Sequence, residues 1–323
     1  MKKYDVVAIG ELLIDFTENG VSEQGNPMLE ANPGGAPCNV LSMLQRLGKK
    51  TAFIGKVGKD AFGEMLKEVV EAQGIDTTNL LMDETVPTTL AFVHTEKNGD
   101  RSFSFYRNPG ADMMLRSEEI NMDVLKNATI FHFGTLSMTE EQVAAATKTA
   151  VQKAKEAGSI ISFDPNLRPP LWKSLEMAKE KMWYGISQCD ILKISDDEIA
   201  FLTGTEDIDI GISRILKKYQ PSLICATMGR NGSKAYFKGK TVFAKPFLRE
   251  DTVETTGAGD TFMACVLNTV LEKNMDDLTE EDLSTMLEFA NGASSIITTR
   301  KGALKVMPQK QEILALLKER KGE

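Results

Sequence analysis

The stretch VETTGAGDTF, residues 253 to 262, sets three small residues and a carboxylate at the threshold of the apolar run MACVLNTVL. Gly257, Ala258 and Gly259 let backbone N–H groups approach a ligand without Cβ obstruction, and a helix starting near Asp260 aims its positive end at the same point. Donors so placed stabilise charge developing on a transferred phosphoryl group. Asp260 itself reads equally as a helix cap and as a catalytic base.

Upstream of this stretch, short apolar runs recur: YDVVAIG, KTAFIGKVG, ATIFHFG, SIISFD, CDILKIS and SLICATMG. Most are separated by segments of helical spacing such as FGEMLKEVVEAQG and EEQVAAATKTAVQKAKEAG. The runs are rich in Ile and Val without clean alternation, as strands buried on both faces of a parallel sheet are. The expected class is α/β, a central, mostly parallel sheet flanked by helices. Two segments break the rhythm. Residues 11 to 33 carry Asn19-Gly20 and Gly25-Asn26-Pro27, and residues 87 to 107 alternate around Asn98-Gly99. Both read as antiparallel, predicting a small β lid over the C-terminal ends of the parallel strands. The hairpin SKAYFKGKTVFAKP, turning at Gly239, follows the last buried strand, and the tail from Thr279 is mainly helical in pattern. Without repeats or linkers, residues 1 to 323 read as one domain.

With 42% hydrophobic and 26% charged residues, the 323-residue chain has the composition of an ordinary globular protein. A net charge of −8 gives no basic footprint for nucleic acid. No apolar segment approaches the ~20 residues that span a bilayer. The N-terminal run is broken by Asp5, Glu11 and Asp15, so it reads as a first strand and not a signal peptide, and the expected location is the cytoplasm. Cys38, Cys189, Cys225 and Cys265 lack zinc or redox spacing and read as buried thiols, while His94 and His132 read as structural. The Walker pattern fails because Lys234 stands where its first glycine belongs before Gly239-Lys240-Thr241, and GxGxxG, begun by Gly257-Ala258-Gly259, fails at Phe262.

The segment ETTGAGD resembles the (D/E)TxGAGD signature of ribokinase-like carbohydrate kinases, and the likeness spans the chain in order. Pro33-Gly34-Gly35-Ala36-Pro37-Cys38-Asn39 resembles the family's sugar-binding turn, Asp164-Pro165-Asn166-Leu167-Arg168 its DPNxR motif, and Thr227 to Gly232 its TxGxxG nucleotide loop. The resemblance implies ATP-dependent phosphorylation of a sugar hydroxyl with Mg²⁺. Asp260 is then general base, Gly257, Ala258 and Gly259 the anion hole, and Arg168 a phosphate contact. On the sugar side it implies Asp15, Gly34, Gly35, Asn39, Tyr106 and Arg107. On the nucleotide side it implies Lys193, Glu198, Thr227, Gly229, Gly232 and Asn291. Ser195 replaces the asparagine of the family's NxxE motif.

Each role has a structural alternative: turn glycines at 34 and 35, a turn cap at Asp15, a surface ion pair for Arg168, helix capping for Glu198, snorkelling for Lys193, helix packing for Asn291, sheet packing for Tyr106 and solvent for Arg107. A K⁺ ion in many relatives uses a carboxylate six positions before the base. Here that position is Glu254, with Thr256, Arg300 and Gly302 in the remaining shell. The added methylene leaves open whether such a site persists, is rebuilt or is lost. The motifs GGAPCN, FYRNPGADMML and DPNLRPPLW resemble fructokinase members most, implying D-fructose as acceptor and fructose 6-phosphate as product. Ketodeoxygluconate kinase and aminoimidazole riboside kinase share much of the pattern. A homodimer through the lid is the expected assembly. A catalytically silent sugar sensor would lack the base or anion-hole glycines, and both are present.

Overall fold

The computed structural model describes residues 2–95 and 101–322. Its strands are β1 (Tyr4–Ile9), β2 (Leu13–Val21), β3 (Pro27–Gly34), β4 (Thr51–Gly58), β5 (Asp76–Asp83), β6 (Leu90–Thr95), β7 (Arg101–Tyr106), β8 (Ala128–Gly134), β9 (Ile160–Asp164), β10 (Ile191–Ser195), β11 (Leu223–Thr227), β12 (Ser233–Phe237) and β13 (Lys240–Ala244). The helices are α1 (Ala36–Arg46), α2 (Ala61–Ala72), α3 (Met122–Lys126), α4 (Glu141–Glu156), α5 (Leu175–Gln188), α6 (Asp196–Thr203), α7 (Ile208–Lys218), α8 (Ala258–Lys273), α9 (Glu280–Ile297) and α10 (Lys310–Lys321).

The large sheet runs β13-β12-β11-β10-β9-β8-β1-β4-β5, parallel except at the β12–β13 edge. Its strands lack alternation because both faces are covered. Val6 and Ala8 of β1 join a cluster with Leu41 of α1 and Met263 and Val266 of α8, whereas Val7 and Ile9 join Ala150 of α4 and Met182 of α5 on the other face. The chain leaves β1 for β4 and β5 on one side, then resumes at β8 on the other. The crevice at the C-terminal ends of β1 and β8 is therefore a topological switch point, where open α/β sheets bind ligands.

The second sheet runs β3-β2-β6-β7. Each hairpin is antiparallel as expected, but β2 and β6 join them in parallel, a long-range pairing that turn signals do not encode. Asn19-Gly20 forms no turn: β2 continues through it with a register shift between Glu18 and Val21, Gly20 taking φ 81°, and the chain reverses at Ser22 to Gly25. The Asn98-Gly99 turn signal lies outside the described residues. Edge strand β5 has no counterpart in the sequence reading, because it opens on the polar run Asp76, Thr77, Thr78 and Asn79. Among the described residues no helix is long and apolar enough to cross a membrane, and all four cysteines are buried and unpaired.

Candidate active site

Helix α8 delivers the stretch that opened the sequence. Its N-cap is Gly257 at φ 77°, a left-handed conformation that glycine adopts at no steric cost, and a Cβ there would stand 2.7 Å from that of Ala303. The amides of Gly257, Gly259 and Asp260 make no backbone hydrogen bond among the described residues, while that of Ala258 closes a 3.2 Å turn on the Thr255 carbonyl. Asp260 caps nothing. Its buried carboxylate accepts from Asn39 Nδ2 at 2.8 Å, across the α1–α8 contact. Burial pushes its pKa up, with Asp164 adding to the rise and Asn39, Lys193 and Arg168 opposing it, to about 6.

The neighbouring strand ends supply charge. Lys193, near the end of β10, does not snorkel outward. Its Nζ pairs with Asp164 at 2.9 Å in the buried interior, and it lies 3.0 Å from where a Cβ on Gly259 would stand. Burial works against that ammonium, but Asp164, Glu198 and Asp260 prevail and raise its pKa, so it is a fixed cation at the helix N-terminus. Arg168, exposed after β9, donates to its neighbour's carbonyl, and its positive charge acts on both Asp15 and Asp260.

The lid supplies Asp15, half-buried on β2. A Cβ on Gly34 would strike its carboxylate, and one on Gly35, at φ 130°, would strike the Glu11 carbonyl. Both glycines are thus demanded by close approach. Burial raises the Asp15 pKa to about 7, with Arg168 opposing and Glu254 and Asp260 reinforcing. A small cavity at the switch point is lined by Glu11, Ala36, His132, Leu136, Asp164 and Asp260, among others.

The model of the pfkB family carbohydrate kinases matches residues 3–310. The chain belongs to that family. Among curated relatives of this carbohydrate kinase, probable fructokinase-2 of Arabidopsis thaliana is 42% identical over 97% of this chain and 95% of its own. A crystal structure of fructokinase with bound ATP from Xylella fastidiosa superposes with a TM-score of 0.90, 30% identity, and coverage of 98% and 99% of the two chains. A fructokinase double mutant from Vibrio cholerae, in a fructose, ADP and potassium ion bound form, gives 0.88 at 27% identity with the same coverage.

In this kinase the remaining residues of the sequence reading divide. Glu198 sits in a capping box with Ser195. One carboxylate oxygen accepts from the Ser195 amide at 2.9 Å and the other from the Leu167 amide at 2.8 Å, so it braces the loop that carries Arg168. Thr227, Gly229 and Gly232 form the β11–β12 turn, where Gly229 and Gly232 have φ of 49° and 90°. Asn291 of α9 holds that hairpin through Ser233 and the Ala244 and Lys245 carbonyls. Glu254 is not solvated: it is buried, and accepts from the Gly302 amide at 2.7 Å. Thr256 is half-buried nearby in sequence, and the Arg300 guanidinium binds the Val306 carbonyl and Glu312.

Two lid assignments change. Ladder partners share a face, and the register groups Asp15 with Ala91 and Phe105, but Tyr106 with Leu90 and Ile14. Tyr106 is thus turned away from Asp15, exposed, its ring edge-on to Phe92; a one-residue difference in parity separates it from the Asp15 face. Arg107 is not in solvent but buried in an ion pair with Asp112.

Glu11 and His132 gain a place that sequence reasoning missed. The Glu11 carboxylate accepts from the Ala36 amide at the start of α1 at 2.8 Å, and burial pushes its pKa up to about 7. His132 Nδ1 lies 2.9 Å from Ser162 Oγ, and burial holds the ring neutral, its pKa lowered to about 3. The signal available for Glu11 was a carboxylate two residues beyond the buried strand β1.

Proposed function

We propose that this carbohydrate kinase transfers the γ-phosphoryl group of ATP to D-fructose, giving fructose 6-phosphate and ADP. The observation that carries the reading is Asp260, buried at the N-terminus of α8, hydrogen-bonded by Asn39 and pushed up to about 6. A carboxylate of that pKa is ionised at neutral pH yet basic enough to take a hydroxyl proton as the new O–P bond forms. The proton goes to Asp260, the γ-phosphorus bonds to the sugar oxygen, and the bond to the ADP oxygen breaks. The amides at 257 and 259, Lys193 and Arg168 offer donors to the charge that spreads over the phosphoryl oxygens.

Acceptor recognition is assigned to Asp15, Gly34, Gly35 and Asn39, with Phe105 in place of Tyr106. The choice of fructose rests on the full-length likeness to fructokinases. Nucleotide contact is assigned to the turn at Thr227, Gly229 and Gly232, with Asn291 supporting its hairpin. Mg²⁺, which neutralises phosphate charge, takes one or two carboxylates and keeps waters, and Asp164, paired with Lys193 at 2.9 Å, and Glu198, whose charge also acts on Lys193, are the carboxylates proposed to hold it. For K⁺, the buried Glu254 carboxylate bound to the Gly302 amide fits an alkali-ion shell otherwise made of carbonyls. Exposed Leu29 and Tyr106, on the lid face away from Asp15, are proposed to seat a second copy, a reading checked by the solution mass of Tyr106→Glu. Four unpaired cysteines suit a reducing cytoplasm.

The test is kcat/KM with ATP across D-fructose, ribose, 2-keto-3-deoxygluconate and aminoimidazole riboside. Fructose should lead, because sites built on buried polar groups reject acceptors that leave those groups unmatched. A clear lead for any other acceptor overturns the assignment.

A further inference from the structure

The buried pair Arg107–Asp112 has no part in the chemistry above, yet it joins three pieces of the site. Asp112 accepts from Arg107 Nε at 2.8 Å and Nη2 at 2.7 Å through one oxygen, and from the Thr89 hydroxyl through the other. Thr89 immediately precedes lid strand β6, and Arg107 immediately follows lid strand β7. One carboxylate therefore ties the feet of both strands together.

The guanidinium extends the connection. Nη1 donates to Thr139 Oγ1 and Nη2 to the Leu136 carbonyl, each at 3.0 Å, and Leu136 walls the switch-point cavity beside Asp260. Next to this junction lies a fixed point: Asp60, the N-cap of α2, accepts from the Thr88 amide and hydroxyl, each at 2.8 Å. Thr88 is thus anchored to the large-sheet domain and Thr89 to the junction. A Cβ on Gly110 would strike the Thr89 hydroxyl, so the backbone is packed closely against it.

We propose that Arg107 is a positioning residue, and that with Asp112 it couples the angle of the lid to the cavity wall at Leu136–Thr139. All three guanidinium nitrogens are engaged within the protein, which accounts for the burial without a sugar contact. A desolvated ion pair contributes little net stability compared with apolar packing, so its distinguishing contribution is a fixed geometry. A six-residue strand such as β6 spans roughly 20 Å, so a small rotation at its foot moves the far end several times further. Sugar resting against the wall would thereby favour one lid position, and that position excludes water from the phosphoryl group.

The coupling rests on the proposed function only in taking D-fructose as the probe. The variants are Thr139→Val, which removes one acceptor of Arg107 and keeps the ion pair, Asp112→Asn, and the double variant. Each is assayed for KM of fructose and of ATP, for ATP hydrolysis without sugar, and for Tm. Expected are a KM for fructose raised roughly tenfold in Asp112→Asn and about threefold in Thr139→Val, a KM for ATP within about twofold of wild type, and a larger share of ATP lost to water. The double variant should depart from the product of the single effects by about threefold or more, as members of one network do. If Asp112→Asn fails to fold, because its buried guanidinium lacks a counter-charge, Thr139→Val alone decides. Unchanged fructose KM and water leakage in Thr139→Val, equal rises in both KM values, or strictly additive effects overturn the coupling. A wild-type protein indifferent to fructose would instead refute the substrate reading, and the same variants are then read with the sugar the acceptor panel selects.

Discussion

Replacing Asn39 with leucine should move the acidic limb of the pH–rate profile upward. The Asn39 amide donates to the Asp260 carboxylate at 2.8 Å inside the protein. A hydrogen bond to a charged group contributes about 1.5–3 kcal/mol, and one pKa unit corresponds to about 1.4 kcal/mol. Loss of the donor therefore raises the Asp260 pKa by about one to two units from its value of about 6. Leucine is chosen over alanine because its similar volume leaves no room for a water to replace the amide. A base acts when ionised, so activity is present above its pKa and lost as pH falls through it. At pH 7 the ionised fraction drops from about 90% to between about 50% and 10%, a roughly two- to tenfold loss in kcat that recovers near pH 9, while the lost acceptor contact raises the KM for fructose at every pH. The assay is ADP release against fructose concentration from pH 5.5 to 9. A uniform loss at every pH with an unmoved midpoint would refute the reasoning, showing that Asn39 holds geometry and not charge.

Two further outcomes follow from the same site. Asp260→Asn should lower kcat by roughly 10²-fold or more with little change in either KM. It should also reverse a stability cost. The folded pKa of about 6 exceeds the ordinary 3.8, so wild-type stability falls as pH rises between those values and stays lower above them. Two units amount to about 3 kcal/mol at most, so the Tm of the variant should exceed that of wild type at pH 8 but not at pH 4, and equal differences at both would contradict the burial of this carboxylate. KCl should activate saturably against tetramethylammonium chloride at matched ionic strength, and Glu254→Gln should weaken that response, whereas identical curves for the two salts would remove the K⁺ site.

What the sequence disclosed was what local chemistry dictates. The parallel strands were legible because burial on both faces erases alternation, and the glycine turn at the start of α8 because a left-handed Gly257 and the close approach of Lys193 to Gly259 favour residues without a Cβ. Beyond that reach lay features set by pairing at a distance. The parallel join of β2 to β6 pairs residues 76 positions apart, and with it goes the parity that puts Phe105, and not Tyr106, on the Asp15 face of the sheet. The partner of Glu254 is a backbone amide at 302, which leaves no mark in a side-chain pattern. The link from Asn39 to Asp260 crosses two helices whose packing only the fold reveals.

The switch point divides the chain as well as the sheet. Glu11, Asp15, Gly34, Asn39, Phe105 and the Leu136 wall all precede residue 140, while Asp164, Lys193, Glu198 and the α8 turn follow residue 160. On the proposed roles, acceptor choice and phosphoryl chemistry are written in consecutive halves of the sequence and meet only across the crevice. Mutational drift in the first half can therefore explore new alcohols while the second stays untouched, and a graft of residues from a relative before position 140 is the natural unit for exchanging one acceptor for another.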